Sequence, residues 1–258
     1  MIGVYYPYLA SASRWEELRY SLRSLDKFFK EDFEVWIVGD LPKWIRNVKH
    51  IPHQKTEMTN AGATYDAVSK LKLYIECTDS PDQFLRMYDD VYLTDARTVK
   101  QMQITRYLFT YEELNSGEFA SGGMVWRDQV FRSTDAVVRL GYPGYMTETH
   151  CPEVFEKEKM REIFEMFDPL EKRLLTSTLY FNVFPYERML KDRKVERALF
   201  YGYENDFSYG PEECELVETR LNRVCKGKYY LNHNDDGLDD GLKKFIEEMY
   251  SDKCRFEK

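Results

Sequence analysis

Residues 83–94 read Gln-Phe-Leu-Arg-Met-Tyr-Asp-Asp-Val-Tyr-Leu-Thr, an apolar run that is interrupted by two adjacent carboxylates, Asp89 and Asp90. A buried strand does not accommodate two neighbouring anions, because desolvating an unpaired carboxylate is costly. The run therefore predicts a strand that delivers both carboxylates to the edge of a sheet. Two interpretations are open: the pair caps a turn, as Asp commonly does, or it binds a divalent metal that holds a diphosphate.

The first part of the chain alternates between strand and helix patterns. Short apolar runs predict strands over residues 2–6, 33–38, 48–51 and 83–88, the first of them ended by Pro7. Apolar residues spaced three and four apart predict helices over 14–29 and 61–77. Ser13 and Glu16 form an S-x-x-E capping box for the first helix. This alternation predicts an α/β fold with a mainly parallel central sheet flanked by helices.

Three polar features follow predicted strands. They are the loop after Tyr6, the Gly39-Asp40 turn and the Asp89-Asp90 pair. In parallel sheets flanked by helices, ligands bind beyond the carboxyl ends of the strands. We therefore expect Tyr6, Asp40 and the two aspartates to line one binding site.

The second half of the chain is less regular. Apolar spacing predicts helices near 128–140, 155–167, 172–191 and 238–250. No Ser/Gly linker, internal repeat or low-complexity tract divides the sequence. The simplest division is a single domain over residues 1–258, with a helical C-terminal elaboration.

The composition is that of a globular protein: of 258 residues, 43% are hydrophobic and 32% are charged. A net charge of −8 argues against broad nonspecific nucleic-acid binding, although it leaves room for a local basic cleft. The five cysteines form no CxxC pair, which indicates free thiols in a reducing compartment. Without a signal peptide or a run of about 18 apolar residues, the sequence predicts a cytoplasmic protein with no integral membrane segment.

The absence of GxGxxG, GxxxxGKS/T, GxSxG and HExxH motifs argues against dehydrogenases, P-loop NTPases, hydrolases and zincins.

Three arginines lie in and around the first predicted helix. Arg14 sits in the first turn, where a cation opposes the helix dipole, so it does not serve helix stability. A helix N-terminus that follows a strand binds anions, and Arg adds bidentate phosphate recognition. Alternatively, the arginines form a solvated face, with Arg19 and Arg23 paired to Glu16 and Asp26. We favour that alternative for Arg19, whereas Arg14 and Arg23 fit either interpretation.

Lysine and histidine side chains supply further candidates. Lys70 lies four residues after Asp66, which is the spacing of a helical ion pair. His150 stands at a loop-to-helix junction, where it is either structural or a general base or metal ligand. The polar stretch Asn232-His233-Asn234-Asp235-Asp236 either caps the following helix or adds a second contribution to a metal site.

Residues 14–25, RWEELRYSLRSL, resemble the ELRYSLRS segment of Stealth-type sugar-phosphate transferases and of related phage and bacterial glycosyltransferases. The similarity continues through residues 35–44 and 50–53 and reaches the strand that ends in Asp89-Asp90. Residues 149–155 resemble the histidine-containing block of that family, and Asn234-Asp235-Asp236 resembles its terminal block.

The resemblance implies a GT-A-like fold and a nucleotide-sugar donor, with residues 1–100 binding the donor and residues 101–258 facing the acceptor. It also implies a divalent metal, Mn2+ or Mg2+, that is held by Asp90, with Asp89 and Asp236 as further ligands. Such a metal bridges the protein to the donor diphosphate and neutralises charge on the leaving group.

The same carry-over by position gives roles to individual side chains. It implies that His150, Arg23 and Asp89 are catalytic groups. Among the expected substrate-binding residues it implies Arg14, Lys70 and Asp235. Tyr6 and Asp40 join this group because they follow predicted strands, and His233 joins it as part of the polar stretch.

The sequence thus favours a metal-dependent glycosyltransferase that moves a sugar to a hydroxyl acceptor. Residues 4–8 do not match the N-terminal block of Stealth phosphotransferases, which favours glycosyl transfer over the alternative, transfer of sugar 1-phosphate. A third hypothesis is a non-catalytic carbohydrate- or nucleotide-binding module. The acceptor we favour is a glycan. Lipid-linked sugars, proteins and modified DNA bases stay open, the last for a phage-encoded enzyme in the host cytoplasm.

Overall fold

Strands and helices alternate along the first half of the chain. The computed structural model describes residues 1–54, 62–116, 123–191, 198–201, 221, 225, 229–233 and 238–258. The first elements are β1 Ile2–Tyr8, α1 Glu17–Phe28, β2 Phe33–Gly39, β3 Lys49–Pro52, α2 Gly62–Glu76, β4 Gln83–Arg86 and β5 Val91–Leu93. The later elements are α3 Val99–Met102, β6 Thr105–Tyr107, α4 Tyr111–Asn115, α5 Met124–Val138, β7 Glu153–Glu156, α6 Lys157–Phe167, α7 Pro169–Lys172, α8 Thr176–Val183, β8 Met189–Lys191, β9 Ala198–Tyr201, β10 Tyr230–His233 and α9 Asp240–Met249.

The central sheet has the strand order β3-β2-β1-β4-β7. Strands β3, β2, β1 and β4 are parallel, and β7 is antiparallel to β4. The chain builds outward from β1 to β3 and then returns to place β4 on the other side of β1. The carboxyl ends of β1 and β4 therefore form the topological switch point, where such sheets bind ligands. The predicted α/β fold with a mainly parallel sheet is confirmed.

Strand β1 extends through Pro7, where the sequence predicted its end, to Tyr8. The carbonyl of Tyr5 faces β4, because it accepts a hydrogen bond from the N–H of Met87 at 2.9 Å. Alternate residues of a strand direct their backbone groups to the same neighbour, so Pro7 also faces β4, but β4 has already ended at Arg86. The missing N–H of Pro7 therefore costs no ladder hydrogen bond.

Helices cover both faces of the central sheet. On one face, Val4 of β1 packs in the same core as Leu22 of α1, and on the other face Tyr5 packs with Tyr74 of α2. Fully burying a side chain of this size stabilises the fold by about 1.5–3 kcal/mol. Of the apolar residues spaced three and four apart that predicted the two helices, those that are buried are Leu18, Leu22, Leu25, Phe29, Val68, Leu71 and Ile75.

Helix α1 begins at Glu17, three positions later than the predicted residue 14. The carboxylate of Glu17 accepts hydrogen bonds from the hydroxyl of Ser13 and from the N–H groups of Arg14 and Trp15, the latter two at 2.9 and 2.8 Å. The predicted capping box between Ser13 and Glu16 is therefore wrong. The carboxylate that accepts these hydrogen bonds belongs to Glu17 instead of Glu16, and its contacts close a loop that precedes the helix.

The second half contributes strands as well as helices. Strand β7, predicted as the start of a helix, adds an antiparallel edge strand to the central sheet. The helix predicted over 172–191 is replaced by α7, α8 and β8. Helix α7 ends at Lys172, and the next residue, Arg173, has a left-handed φ of +53°. Helix α8 ends before Phe184, because Pro185 disfavours helical geometry in the preceding residue. Within the described residues, no helix combines the length and apolarity needed to cross a bilayer.

Candidate active site at the ends of strands β1 and β4

The Asp89-Asp90 pair forms the turn between β4 and β5, at the switch point of the sheet. Both aspartates are half-buried. Helix α1 supports this turn, because the hydroxyl of Ser21 donates to the carbonyl of Val91 at 2.7 Å and lies 3.1 Å from the carbonyl of Tyr88. The two carboxylates therefore belong to a turn whose backbone is fixed on both sides.

The structure brings His150 into contact with Asp90. Its Nε2 lies 3.0 Å from Oδ1 and 3.2 Å from Oδ2 of the carboxylate. The backbone at His150 has a φ of +50°, a left-handed conformation that is costly for a residue with a Cβ. Asn232 of β10 donates from Nδ2 to the His150 carbonyl at 2.9 Å. Strained backbone that neighbouring contacts hold in place is typical of functional sites.

The three ionisable side chains of this cluster shift one another's protonation. Burial, and then the charge of Asp90, raise the pKa of Asp89 to about 7. Burial opposes ionisation of Asp90 as well, but the His150 imidazole outweighs it and lowers the pKa of Asp90. Burial also opposes the charged form of His150, yet the Asp90 carboxylate raises the pKa of His150 above its ordinary value. The cluster thus favours an ionised Asp90 beside a protonated His150.

His233 approaches the same turn from β10. This strand is antiparallel to β5, with Asn232 opposite Val91, so the next step of the register places His233 across from Asp90. His233 is 3% exposed, and its Nε2 lies 3.0 Å from the hydroxyl of Tyr92. Its charge contributes to the lowered pKa of Asp90. The histidine is therefore next to the carboxylates, but it is buried among protein side chains.

The ends of β1 and β2 form the rim of the site on the α1 side. Asp40 accepts a hydrogen bond from the N–H of Ala10 at 2.8 Å and so ties the loop after β1 to the end of β2. Burial raises the pKa of Tyr8, a hydrogen bond with Ser13 lowers it, and the charges of Asp89 and Asp40 raise it further. Asp40 and Asp89 are therefore both near Tyr8, at the same end of the sheet. Arg14 is exposed in the loop that precedes α1, not in its first turn.

Tyr6 and Lys70, both expected to bind substrate, are each only 1% exposed. The Tyr6 hydroxyl lies 3.0 Å from Oγ of Ser21, in the core between β1 and α1. The Lys70 ammonium donates to Asp66 at 2.6 Å, which confirms the helical ion pair. Asp66 in turn lies 3.1 Å from Nε2 of His53. Both side chains are enclosed by protein, and their contacts support structural roles for Tyr6 and Lys70. The substrate contacts expected of them stay predictions.

Arg23 is bonded to the C-terminal segment of the chain. Its Nε and Nη2 donate to the Glu257 carboxylate at 2.7 and 2.9 Å, and its Nη1 donates to the carbonyl of Tyr250 at 2.9 Å. Glu257 is buried, and the Arg23 side chain is only 10% exposed. This bidentate pair fastens α1 to the end of the chain, so the contacts of Arg23 support a structural role and not the expected catalytic one. Asp26, the alternative partner, pairs with Arg255.

The expected metal site is only partly within the described residues. Asp235 and Asp236 lie outside them, so the roles expected of these two residues stay predictions. Among the residues that the structure does describe, no group of three or more His, Cys, Asp or Glu side chains could hold a metal ion. Asp89 and Asp90 supply a pair of carboxylates.

Glu17 and Tyr88 support the site and were not singled out from the sequence, and Asn232 was named only as part of a polar stretch, without this role. Glu17 offers a local signal, since it follows Ser13 at a spacing that closes a turn. Tyr88 and Asn232 act on His150, which is far from both in sequence, so no local pattern indicates them.

Comparisons with known proteins address the fold. No protein-family model and no curated protein matches the chain. The solved structure of the galactosyltransferase LgtC in complex with donor and acceptor sugar analogues is similar, with a TM-score of 0.51, 11% identity, and coverage of 100% of this chain and 98% of that chain. The chain has a GT-A-like fold.

Two further solved structures are similar to this GT-A-like chain. An active-site mutant of LgtC has a TM-score of 0.51 and 11% identity, and the match covers 97% of this chain and 95% of that chain. The apo structure of WbbM, a bifunctional glycosyltransferase, has a TM-score of 0.54 and 10% identity. That match covers 98% of this chain but only 50% of WbbM. At these identities the likeness establishes the fold alone.

Proposed function

We propose that the chain is a glycosyltransferase that moves a sugar from a nucleotide-sugar donor to a hydroxyl acceptor. The observation that carries this proposal is the Asp90–His150 contact beside Asp89, at the switch point of a GT-A-like sheet. One of the similar structures, LgtC, contains donor and acceptor sugar analogues. A non-catalytic binding module has no evident need for a strained histidine paired with one of two adjacent carboxylates.

We further propose that Asp90 and Asp89 hold Mn2+ or Mg2+, with Asp236 as a third ligand. The donor chemistry of the two described residues fits such an ion, because both offer carboxylate oxygens that are not fully buried. A metal that holds a diphosphate takes only one or two carboxylates from the protein. When bound, the metal supplies positive charge that stabilises the leaving diphosphate.

The chain's own side chains bind and orient the substrates in this proposal. Arg14 and the N-terminal end of α1 bind the donor phosphates, because guanidinium groups and helix N-termini both attract phosphate oxygens. Asp40 borders the donor on one side of the aspartate turn, and His233 supports the turn from β10 on the other. His150 orients the acceptor hydroxyl beside Asp90. A metal bound by Asp90 would offset the negative charge that keeps His150 protonated, and the neutral imidazole would then accept the hydroxyl proton.

The acceptor we propose is a glycan, and we propose a cytoplasmic location for the enzyme. A net charge of −8 repels polyanions, so duplex DNA with modified bases is the less favourable acceptor. Asp235 lies in the stretch that we propose to contact the acceptor. Incubating the enzyme and a labelled donor with oligosaccharides or with hydroxymethylated DNA distinguishes these acceptors by where the label appears.

The alternative reaction is transfer of sugar 1-phosphate. It is favoured by the resemblance of residues 14–25 and 149–155 to Stealth-type enzymes. The two reactions differ in the bond that breaks, so they leave different nucleotides. Glycosyl transfer from a nucleoside diphosphate sugar releases a nucleoside diphosphate, whereas sugar 1-phosphate transfer releases a nucleoside monophosphate. Chromatography of the nucleotide product identifies the reaction directly.

Thermal unfolding tests donor binding before any acceptor is known. The protein is screened against nucleotide sugars with and without Mn2+, because a ligand at 100 times its Kd raises the free energy of unfolding by about 2.7 kcal/mol. We expect a donor-dependent rise in Tm that requires the metal and is lost in Asp90→Asn. Asp95→Asn is the matched control, since Asp95 lies just beyond β5 with 58% of its side chain exposed. The absence of a shift with every nucleotide sugar would reject the proposal.

A further inference from the structure

The ring of Tyr88 contacts an imidazole and lies near a guanidinium. It stacks on His150, with ring centroids 4.6 Å apart and an interplanar angle of 14°. Cζ of Arg86 lies 5.4 Å from the Tyr88 centroid. Arg86 is itself immobilised, because its guanidinium is bonded to the Glu153 carboxylate and the Ser177 hydroxyl, both buried. The ring that supports His150 is thus next to a fixed ionic group.

A second contact fixes the backbone of the same histidine. Asn232 is fully buried, and its Nδ2 donates to the His150 carbonyl at 2.9 Å. This hydrogen bond holds the residue whose φ is +50°, a conformation that persists only where the surroundings enforce it. The stack fixes the plane of the imidazole, and the amide fixes the backbone from which it extends.

We propose that Tyr88 and Asn232 are positioning residues that hold the His150 imidazole against Asp90. The His150 side chain is 38% exposed, so the Asp90 contact alone leaves a route for it to rotate into solvent. With both restraints in place, Nε2 stays within 3.2 Å of both carboxylate oxygens. This inference rests on the proposed function insofar as His150 acts in catalysis. The restraint itself is a property of the folded chain.

Kinetics of sugar transfer test the role of the Tyr88 ring. Tyr88→Leu removes the stack, and we expect kcat to fall on the order of tenfold or more, because small misplacements of catalytic groups are costly, with the donor KM little changed. Tyr88→Phe keeps a flat ring and is expected to restore most of the lost rate. Phe33→Leu is the matched control, since Phe33 packs on Phe29 at the amino-terminal ends of the strands, away from the site.

The same substitutions in a His150→Ala background separate positioning from general loss of packing. If Tyr88 acts through His150, Tyr88→Leu lowers kcat in the wild-type background and has no further effect on the residual rate of His150→Ala. Equal losses in both backgrounds, or an unchanged kcat in the wild-type background, would overturn the inference.

NMR of protein labelled on histidine provides a readout that does not depend on activity. The Tyr88 ring current shifts the ring resonances of His150, and we expect Asn232→Leu to move them toward the values of an exposed histidine. Asn232→Ser serves the same purpose if the leucine variant does not fold. His150 resonances that stay unchanged in the folded variant would refute the role of Asn232. A wild-type protein that transfers no sugar but shows these shifts would refute only the proposed function.

Discussion

The hydroxyl of Ser21 in α1 lies 2.7 Å from the carbonyl of Val91, the first residue after the Asp89-Asp90 pair. The same oxygen lies 3.1 Å from the carbonyl of Tyr88, the last residue before the pair. Since the serine proton is directed at these carbonyls, the Tyr6 hydroxyl is the donor in its own contact with Ser21 at 3.0 Å. A chain of hydroxyls thus connects β1, through α1, to the backbone that carries both carboxylates.

Tyr6→Phe tests whether Tyr6 supports the fold or binds substrate. The substitution keeps the ring and removes one buried hydrogen bond, so we expect the free energy of unfolding to fall by about 1 kcal/mol. Urea denaturation measures this change, and calorimetric titration measures the donor Kd, which we expect to be unchanged. A weaker donor Kd with unaltered stability would instead make Tyr6 a ligand.

Arg23→Ala tests the ionic contact between α1 and the C-terminal segment. The substitution removes both hydrogen bonds from Arg23 to the buried Glu257 carboxylate and leaves it with Arg19, at 3.6 Å, so the expected loss of stability is about 1–3 kcal/mol. Arg139→Ala, which removes an arginine that is 77% exposed and paired with Asp135, is the matched control and should cost far less. A fall in kcat without a loss of stability would instead support the catalytic role that the sequence predicted for Arg23.

Glu17→Gln tests the loop that carries Arg14. The carboxylate accepts hydrogen bonds from Ser13, Arg14 and Trp15, and a single amide oxygen cannot accept all three. We expect a loss of about 1–3 kcal/mol in the free energy of unfolding and a higher donor KM. Glu16→Gln, at an exposed residue one position earlier, should leave the donor KM unchanged. An unaltered KM in Glu17→Gln would show that the loop does not depend on this carboxylate.

Glu148→Gln tests a pH dependence of stability. Burial raises the pKa of Glu148 to about 7, with Arg86 opposing the shift and Glu153 adding to it. A glutamate in the unfolded chain has a pKa of about 4.3. Between that pH and about 7 the native state binds more protons than the unfolded state, so wild-type stability falls as the pH rises over this range. The variant lacks this loss. Its stability relative to wild type should therefore increase between about pH 5 and pH 8.

Urea denaturation across that pH range measures the difference for Glu148→Gln. Glu171→Gln removes a carboxylate from an exposed glutamate in α7 and serves as the matched control. A constant difference for Glu148→Gln would contradict the assignment of the shifted pKa to this residue.

The sequence was sufficient for the fold class and for the position of the aspartate turn. Strand and helix periodicity are local, so β2 and α2 were predicted close to their observed ends. The same reasoning located Asp89-Asp90 at the carboxyl end of a strand, because two adjacent anions inside an apolar run have few other places to lie. The strand β10 carries no such signal and was predicted only as a polar stretch.

Side-chain roles were harder to predict because their partners are distant in sequence. Arg23 is bonded to a glutamate that is 234 residues away, and Ser21 reaches a carbonyl 70 residues away. Reasoning from local sequence assigns such residues to the nearest motif, which led to the predicted catalytic role for Arg23. Lys70 is the converse case, since its partner Asp66 lies one helical turn away and was predicted.

Turnover of a nucleotide sugar by wild type and Asp90→Asn, measured across a titration of Mn2+ that begins with chelator, tests the central claim most directly. The proposed glycosyltransferase turns over the donor only with the metal and releases a nucleoside diphosphate. Asp90→Asn should lose about 100-fold or more in kcat, while Asp95→Asn should match wild type. Undiminished turnover by Asp90→Asn, or full turnover by wild type in chelator, would contradict a metal-dependent site at Asp90.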